Sequence, residues 1–216
     1  MRWRVVAFDL DGVLVEEPSA WITVHRAFGV TEKARGNLRD YESGRIDYRE
    51  FMRRDIALWG RRTLAEIHNV LRRYTVRREA REAVDDLNAD DRTIVVVSAG
   101  IDVLAGAVCE DLGIDHWVAN GLEVDSAGTL TGEGIMRVEL LRKDLALNEL
   151  LLPMGVGIKE VVAVGDSKYD LHLVKACGRG IAFFPSGVSD LRVECAVAKN
   201  LRDVREIVRT WDRGKD

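Results

Sequence analysis

Short apolar runs rich in β-branched residues recur along the chain, and each run ends at a polar or glycine-containing turn. Four such runs lie at residues 4–8, 93–97, 161–164 and 181–184. They lack the apolar–polar alternation of half-exposed strands, so they predict strands that are buried on both faces of a parallel sheet. Helical patterns lie between them, at residues 77–87, 101–112, 138–152 and 170–176. This order predicts an α/β fold with a doubly wound, Rossmann-like parallel sheet.

Two segments interrupt this alternation of strand and helix. Residues 16–76 contain no convincing strand and show helical patterns at 20–28, 33–41, 48–59 and 64–74. We therefore predict a small helical cap domain over residues 16–76, inserted after the first strand into an α/β core formed by residues 1–15 and 77–216. The second segment, residues 122–131, has a Ser-Ala-Gly turn between two short strand patterns and predicts a β-hairpin.

The charge and composition argue against several classes of partner. The net charge is -4 over 216 residues, which does not favour a nucleic-acid-binding protein. The chain has no run of 18 apolar residues that would form a membrane-spanning helix. The three cysteines are far apart and lack the spacing of a zinc site. We expect a cytoplasmic protein that binds neither nucleic acid nor membrane, and the sequence does not predict its oligomeric state.

Four aspartates follow the predicted strands at the places where those strands end. Asp9 and Asp11 come directly after the first strand, and Asp166 and Asp170 follow the strand at 161–164. The carboxyl ends of parallel strands lie at one edge of an open α/β sheet, where ligands bind. Four carboxylates at one edge repel each other, and a divalent cation relieves that repulsion. The pattern predicts Mg²⁺, which suits a site with few carboxylates and retained waters.

A serine, a backbone amide and a lysine complete this predicted site. Ser98 follows the strand at 93–97, and its hydroxyl together with the next backbone N–H, that of Ala99, can hold an anion. Lys143 lies near the start of a helical pattern and supplies a compact positive charge. A simpler interpretation makes Ser98 the N-cap of the helix that begins near residue 101. Carboxylates, Mg²⁺, a hydroxyl and an ammonium group around one point predict a phosphate-binding site that contains a nucleophile.

Four motifs follow one another in an order typical of a known family. They are DLDG at 9–12, SAG at 98–100, Lys143, and GDSKYD at 165–170. This order resembles the haloacid dehalogenase superfamily over nearly the whole chain, and the helical segment lies where that superfamily has its small cap. The hairpin sequence DSAGTLTG at 125–132 adds a likeness to the phosphoserine phosphatase branch. The resemblance implies an α/β core with an inserted cap and a Mg²⁺-dependent phosphatase.

The resemblance also implies a role for each motif residue. Asp9 attacks phosphorus and forms an aspartyl-phosphate, while Asp11 acts first as general acid and then as general base. Mg²⁺ is held by the Asp9 carboxylate, the Asp11 backbone carbonyl and the Asp166 carboxylate. Ser98 and Lys143 bind the phosphoryl oxygens. Asp170 either supports the water molecules on the metal ion or orients Lys143.

The cap departs from the resemblance at the positions that would recognise the substrate. The acidic residue that receives a substrate ammonium group falls at Pro18, directly after Glu16 and Glu17. The arginine that holds a substrate carboxylate falls at Asp55, and Arg53 lies two residues before it. Glu16 and Glu17 are therefore candidate specificity residues, because a one-residue shift in register would bring a glutamate to the implied position. Arg53 is a candidate because it lies near the position of the implied arginine.

Two tyrosines are further candidates for substrate specificity. Tyr48 lies at the position of an aromatic residue beside the substrate, and Tyr169 stands where the related motif usually has Asn. Phosphoserine is therefore one candidate substrate. The open alternatives are another small ester such as phosphoglycolate or a sugar phosphate, and a phosphotransferase reaction.

A non-enzymatic alternative is a receiver-like phosphorylation switch, which also places Asp, Ser or Thr, and Lys at the ends of parallel strands. Receivers are shorter, have no helical cap, and lack an acid two residues after the phosphorylated aspartate. A catalytically silent binding protein on the same scaffold is a second alternative, against which the intact motifs argue. We therefore predict a Mg²⁺-dependent phosphomonoester hydrolase that acts on a small phosphorylated metabolite through an aspartyl-phosphate intermediate.

Overall fold

A mostly parallel sheet forms the centre of the structure, a computed structural model that describes residues 3–184, 195–212 and 214. Within this part of the chain the strands are β1 (Val5–Phe8), β2 (Thr93–Ile101), β3 (His116–Val124), β4 (Leu130–Ile135), β5 (Val161–Gly165), β6 (Arg179–Phe183) and β7 (Ala196–Ala198). They lie in the order β4-β3-β2-β1-β5-β6-β7. Neighbouring strands are parallel except β3 and β4. The predicted fold class is confirmed.

Helices cover both faces of this sheet, which is why its strands are apolar on both sides. The helices outside residues 16–76 are α5 (Ala80–Ala89), α6 (Asp102–Leu112), α7 (Lys143–Leu151), α8 (Leu171–Ala176) and α9 (Leu201–Asp212). Alternate residues of β1 point to opposite faces. Val6 and Phe8 pack with α5, α6 and α9 in one core, whereas Val5 and Ala7 pack with α7 and α8 in the other.

The register of the three central strands brings their ends level. β1 lies between β2 and β5, and Phe8 at its end is paired with Val96 of β2 and Val164 of β5. The Asp9 backbone N–H extends this pairing by donating to the Val164 carbonyl at 2.9 Å. Side chains that follow these strands therefore emerge together at one edge of the sheet.

Between β1 and α5 the chain forms the predicted helical insertion. Its helices are α1 (Ala20–Ala27), α2 (Thr31–Glu42), α3 (Tyr48–Leu58) and α4 (Leu64–Leu71). Val15 and Val76 form an antiparallel bridge, so the chain leaves and re-enters the core side by side. This bridge lies at the boundaries predicted for the cap. The division into a core of 1–15 and 77–216 and a cap of 16–76 remains a prediction that the bridge supports.

The cap rests on the hairpin formed by β3 and β4. The Leu64 backbone N–H donates to the Gly128 carbonyl at 3.0 Å, so the start of α4 is tied to the hairpin turn. Helix α3 packs closely on β4 at Gly134, where a Cβ atom would lie 2.4 Å from the Met52 methyl carbon. Glycine permits this close approach, because a side chain at this position would force at least the end of the Met52 side chain to move. The hairpin thus sets the height of the cap above the core.

Several elements differ from the sequence-based expectations. The helix predicted from residue 138 begins at Lys143, because the Asn120 Oδ1 accepts from the Arg137 and Val138 backbone N–H groups at 2.8 Å and holds that segment in a turn. The hairpin strands are longer than residues 122–131, since β3 continues back to His116 as a parallel strand. The three-residue strand β7 was not predicted, because a pattern this short has no detectable period.

Within the described ranges, none of the helices combines the length and the apolar character that are needed to span a membrane.

Candidate active site

Asp9 lies at the end of β1 in direct contact with a buried lysine. The Lys143 ammonium nitrogen is 2.9 Å from the Asp9 Oδ1, and both side chains are almost fully buried. Lys143 reaches this point because it is the first residue of α7, which begins at the same edge of the sheet. The predicted pair of carboxylate and ammonium group is therefore brought together by two segments 134 residues apart in the chain.

Asp170 holds the other side of the same ammonium group. Its Oδ1 accepts from the Lys143 Nζ at 2.7 Å. Its Oδ2 accepts from the Asp166 and Ser167 backbone N–H groups at 3.2 and 3.1 Å, and from the Ser167 hydroxyl at 3.0 Å. Burial opposes the charged form of Lys143, but Asp170 and Asp9 outweigh it and raise the pKa of the ammonium group far above its usual range.

The other acids at this edge are held in an environment that disfavours their charged forms. Burial is the largest cause for each: it raises the pKa of Asp9 to about 6 despite Lys143, and the pKa of Asp11 to about 7 with the help of the Asp9 charge. Burial together with the charges of Asp9 and Asp170 raises the pKa of Asp166 to about 8. Carboxylates crowded in this way create a strong demand for additional positive charge.

The donor set fits a divalent metal ion. Carboxylate oxygens of Asp9, Asp166 and Asp170 lie within 4.8 Å of one another. Asp170 is already committed to four hydrogen-bond donors, whereas Asp9 and Asp166 have oxygen lone pairs to spare. Gly12 makes room for this arrangement, because its φ of +77° suits glycine and a Cβ there would lie 2.1 Å from the Asp166 Oδ2.

Asp11 and Ser98 form the opposite side of the site. The Asp11 Oδ1 accepts from the Ala20 backbone N–H at 3.0 Å, at the start of α1, and Ser98 hydrogen-bonds the same carboxyl group. The Ser98 hydroxyl accepts from the Gly100 N–H at 2.9 Å. The alternative that Ser98 caps the next helix is wrong, because α6 is preceded by Ile101 and has no side-chain cap.

A cavity of about 410 Å³ opens onto these residues and is closed on its far side by the cap. The core contributes Asp9, Asp11, Ser98, Ala99, Lys143 and Asp166 to its lining. The cap contributes aromatic and apolar side chains, which include Pro18, Trp21, Ile22, Leu38, Tyr48 and Phe51, and polar or charged ones, which are Ser19, His25, Arg26, Thr31, Arg35 and Asp55. A small substrate would therefore meet carboxylates and an ammonium group on the core side, and a mixture of aromatic, apolar and charged side chains on the cap side.

Ala99 joins the two sides of the cavity through its backbone. Its carbonyl oxygen accepts from the Trp21 indole N–H at 3.1 Å, the Tyr48 hydroxyl at 3.2 Å and the Asn120 amide at 3.0 Å. Two cap helices are thereby tied to the turn that carries Ser98. Tyr48, predicted as a specificity residue, lines the cavity and positions this turn.

Tyr169 lines the cavity where the core meets the end of α2. Its hydroxyl donates to the Glu42 Oε1 at 2.7 Å. The Lys168 ammonium nitrogen lies 2.7 Å from the same oxygen. This contact, which we call the Glu42 link, connects the GDSKYD loop to the cap.

Three of the predicted specificity residues do not line the cavity. Glu16 is exposed, and the Glu17 carboxylate accepts from the Thr75 N–H at 3.0 Å, because both residues lie beside the returning chain. Arg53 lies on the outer side of α3 and pairs with Glu50 at 2.7 Å. The register shift that would have placed them at the substrate positions does not occur.

Sequence reasoning missed a buried polar network in the cap. His25 and Asp55 are 3% and 2% exposed, and the His25 Nε2 lies 3.1 Å from the Asp55 Oδ2. The signal was present in α3, whose buried residues Tyr48, Met52, Asp55 and Ile56 follow helical spacing. Asp55 thus occupies a position on an otherwise apolar face, which predicts a buried carboxylate.

The fold and the site together define a hydrolase of one class. A family model for haloacid dehalogenase-like hydrolases matches residues 6–175, and the chain belongs to this family.

Within this family, the chain is similar to several phosphoserine phosphatases. The chain is 27% identical over 210 residues to a phosphoserine phosphatase of Methanocaldococcus jannaschii, covering 95% of this chain and 96% of the relative. It is also 27% identical to a phosphoserine phosphatase of Lactococcus lactis, covering 94% of each. A solved phosphoserine phosphatase structure with an analogue of its phospho-aspartyl intermediate superposes with a TM-score of 0.80 over 96% of this chain and 99% of that one. At 24% identity, that structure establishes the likeness of fold.

Proposed function

We propose that the protein is a Mg²⁺-dependent phosphomonoester hydrolase that uses Asp9 as its nucleophile. The observation that carries this proposal is the contact of Asp9 with Lys143 at 2.9 Å at the base of the cavity. A carboxylate held beside a cation, with a cavity in front of it, is suited to attack an electrophile that bears negative oxygens. Membership in the hydrolase family supports the same reaction.

The reaction proceeds in two displacements on phosphorus. An Asp9 oxygen bonds to phosphorus while the bond to the leaving oxygen breaks, and Asp11 gives its proton to that oxygen. In the second step Asp11 takes a proton from water, the water oxygen bonds to phosphorus, and the bond to Asp9 breaks. Inorganic phosphate leaves, and both aspartates return to their initial states. The Ala20 N–H holds the Asp11 carboxyl in place for both proton transfers.

Lys143 and Ser98 bind the phosphoryl group. Lys143 neutralises the Asp9 charge before attack and then pairs with the phosphoryl oxygens, and Asp170 keeps it oriented between these positions. The Ser98 hydroxyl and the Ala99 N–H contact the same group from the strand β2 side. Positive charge and N–H donors at fixed positions stabilise the charge of the transition state without reorganising.

Mg²⁺ would be held by the Asp9 and Asp166 carboxylates and by the Asp11 backbone carbonyl. When bound, the ion supplies positive charge that offsets the phosphoryl oxygens. Asp170 would not bind the ion directly, since its oxygens already accept hydrogen bonds from Lys143 and from the loop that carries Asp166. The raised pKa values of Asp9 and Asp166 support a cation at this position.

The test is phosphate release from p-nitrophenyl phosphate and small phosphate esters, with Mg²⁺ and with excess EDTA. Asp9→Asn should abolish turnover, a loss of at least ~10³-fold for removal of a nucleophile. Asp144→Asn is the matched control, because Asp144 lies next to Lys143 but pairs with Arg142 outside the cavity. Mg²⁺ should also raise the Tm of the wild type, and Asp166→Asn should remove this rise. Turnover that survives both EDTA and Asp9→Asn would refute the proposal.

The substrate is a small phosphorylated metabolite. Phosphoserine is a candidate because the relatives are phosphoserine phosphatases, while phosphoglycolate and sugar phosphates are alternatives for the same chemistry. The cap side of the cavity decides between them.

A further inference from the structure

The cap wall of the cavity contains a buried carboxylate whose hydrogen-bond partners are neutral. The Asp55 Oδ2 accepts from the His25 Nε2–H at 3.1 Å, and its Oδ1 accepts from the Asn37 amide at 2.7 Å. Within the described ranges, no lysine or arginine lies within salt-bridge distance of Asp55. Whether a positive charge compensates this carboxylate therefore depends on whether His25 carries one or two ring hydrogens.

The contact of His25 with Trp59 determines that state. The Trp59 indole N–H donates to the His25 Nδ1 at 2.9 Å. An indole nitrogen is only a donor, so the Nδ1 carries no hydrogen and the single ring hydrogen is on Nε2. His25 is thus a neutral imidazole, and the pair formed by His25 and Asp55 has a net charge of one negative unit. A buried charge without a counter-ion is costly unless a ligand supplies one.

Two arginines also line the cavity, but they are placed differently. Arg26 and Arg35 are both exposed to solvent, and Arg35 contacts Glu32. Their charges are screened by water, whereas Asp55 acts from a buried position where the effective dielectric constant is low. The electrostatic selection exerted by the cap wall therefore favours a positive group on the ligand and disfavours a second negative one.

The remaining lining of the cap suits a cation as well. Trp21, Tyr48 and Phe51 present aromatic rings to the cavity. Aromatic faces attract ammonium groups, including fully methylated ones. The Asp55 carboxylate has about four acceptor positions, of which two are used by His25 and Asn37. Acceptor capacity and aromatic rings are thus available on the same wall.

We propose that the cavity selects phosphate monoesters of amino alcohols that lack a carboxylate, and that Asp55 receives the ammonium group. This inference rests on the proposed hydrolase function. It also accounts for the position of Asp55, where the resemblance implies an arginine for a substrate carboxylate and this chain has the opposite charge. A carboxylate-bearing ester such as phosphoserine would place its negative group beside the buried Asp55 carboxylate.

The test compares esters that differ in a single group. O-Phosphoethanolamine is measured against ethylene glycol monophosphate, which has a hydroxyl in place of the ammonium group, and against phosphoserine, which adds a carboxylate. Phosphocholine tests the methylated ammonium group. We expect kcat/KM for O-phosphoethanolamine or phosphocholine to exceed that of the other two esters by at least ~10-fold, in line with the value of a desolvated charge pair. The effect should lie mainly in KM.

Asp55→Asn tests the assigned residue, because it removes the charge and keeps the shape. The ratio of kcat/KM between O-phosphoethanolamine and ethylene glycol monophosphate should fall to about 3-fold or less. Asp40→Asn is the control, since it removes a cap aspartate that pairs with Arg45 and Arg54 outside the cavity, and it should keep the wild-type ratio. If Asp55→Asn does not fold, the wild-type comparison of the three esters decides alone.

The outcomes separate this inference from the function on which it rests. Equal turnover of the ammonium and hydroxyl esters, or a preference for phosphoserine, would overturn the role of Asp55. Metal-dependent turnover of p-nitrophenyl phosphate in the same experiment would still support the proposed hydrolase function. The absence of turnover of every ester would overturn both.

Discussion

The two walls of the cavity are built in different ways. The core wall consists of side chains that follow β1, β2 and β5 and of Lys143 at the start of α7, so the register of parallel strands sets its geometry. The cap wall consists of side chains from α1, α2 and α3, whose positions depend on how these helices pack on each other and on the hairpin. In the proposed reaction, the core wall holds the reacting groups and the cap wall surrounds the leaving group.

The groups of the core wall depend on one another more strongly than the groups of the cap wall do. The core groups are coupled to one another: Asp9, Lys143 and Asp170 form a continuous buried chain of charges, and a change in one alters the others. In the proposed reaction, the cap groups contact the substrate away from the reacting atoms, so substitutions in the cap can change substrate choice while the reaction is retained. The role that we propose for Asp55, at the position where the resemblance implies an arginine, is one such case.

The largest effect is expected from breaking the charge chain of the core wall. Lys143→Met leaves Asp9 and Asp170 buried without their shared cation, so the free energy of unfolding should fall by about 3–5 kcal/mol and turnover should be lost. Urea unfolding and phosphate release measure the two effects. Lys175→Met, on the exposed side of α8, is the control. A Lys143→Met protein of wild-type stability would contradict a structural role for this charge chain.

A smaller effect is expected from the cap network. Trp59→Phe removes the donor to the His25 Nδ1 and should lower the free energy of unfolding by about 1–3 kcal/mol, because a buried acceptor loses its partner. Turnover of p-nitrophenyl phosphate should change little, because Trp59 does not line the cavity. Trp117→Phe makes the same truncation beside α6. A loss of p-nitrophenyl phosphate turnover in folded Trp59→Phe would show that the two walls are not independent.

The smallest effect is expected at the Glu42 link between the walls. Glu42→Gln removes the charge that pairs with Lys168 but keeps an acceptor for the Tyr169 hydroxyl. Because the pair is partly exposed, its loss should cost at most about 1 kcal/mol and should raise KM only a few-fold. The difference from wild type should shrink at high salt, where such pairs are screened. A large, salt-independent loss of kcat would instead mean that this contact controls cap closure.

Much of the core wall could be predicted from the sequence. A strand pattern followed by Asp, Ser or Gly-Asp places a side chain at a sheet edge whatever the rest of the chain does, because parallel strands share one carboxyl edge. This pattern predicts Asp9, Asp11, Ser98 and Asp166, while the order of the motifs adds Lys143, and all five residues line one cavity. The start of the helix predicted from residue 138 was wrong, because it depends on a contact that is distant in the sequence. The Asn120 side chain accepts hydrogen bonds from residues 137 and 138 and holds them in a turn.

The residues that line the cap wall could not be predicted from the sequence, because they depend on tertiary packing. Glu16, Glu17 and Arg53 were proposed by counting along the chain, yet the bridge at Val15 and Val76 and the outward face of α3 direct them elsewhere.

By itself, the sequence determined the fold class and the residues at the strand ends, because these depend on local period and on the common edge of parallel strands. Only the tertiary structure brings His25 into contact with Asp55, 30 residues later in the chain, and with the indole of Trp59. The same is true of the hydrogen bond from Tyr169 to Glu42, which are 127 residues apart. The physical reason is that helix packing depends on the shape and direction of many side chains at once, which no period along the chain contains.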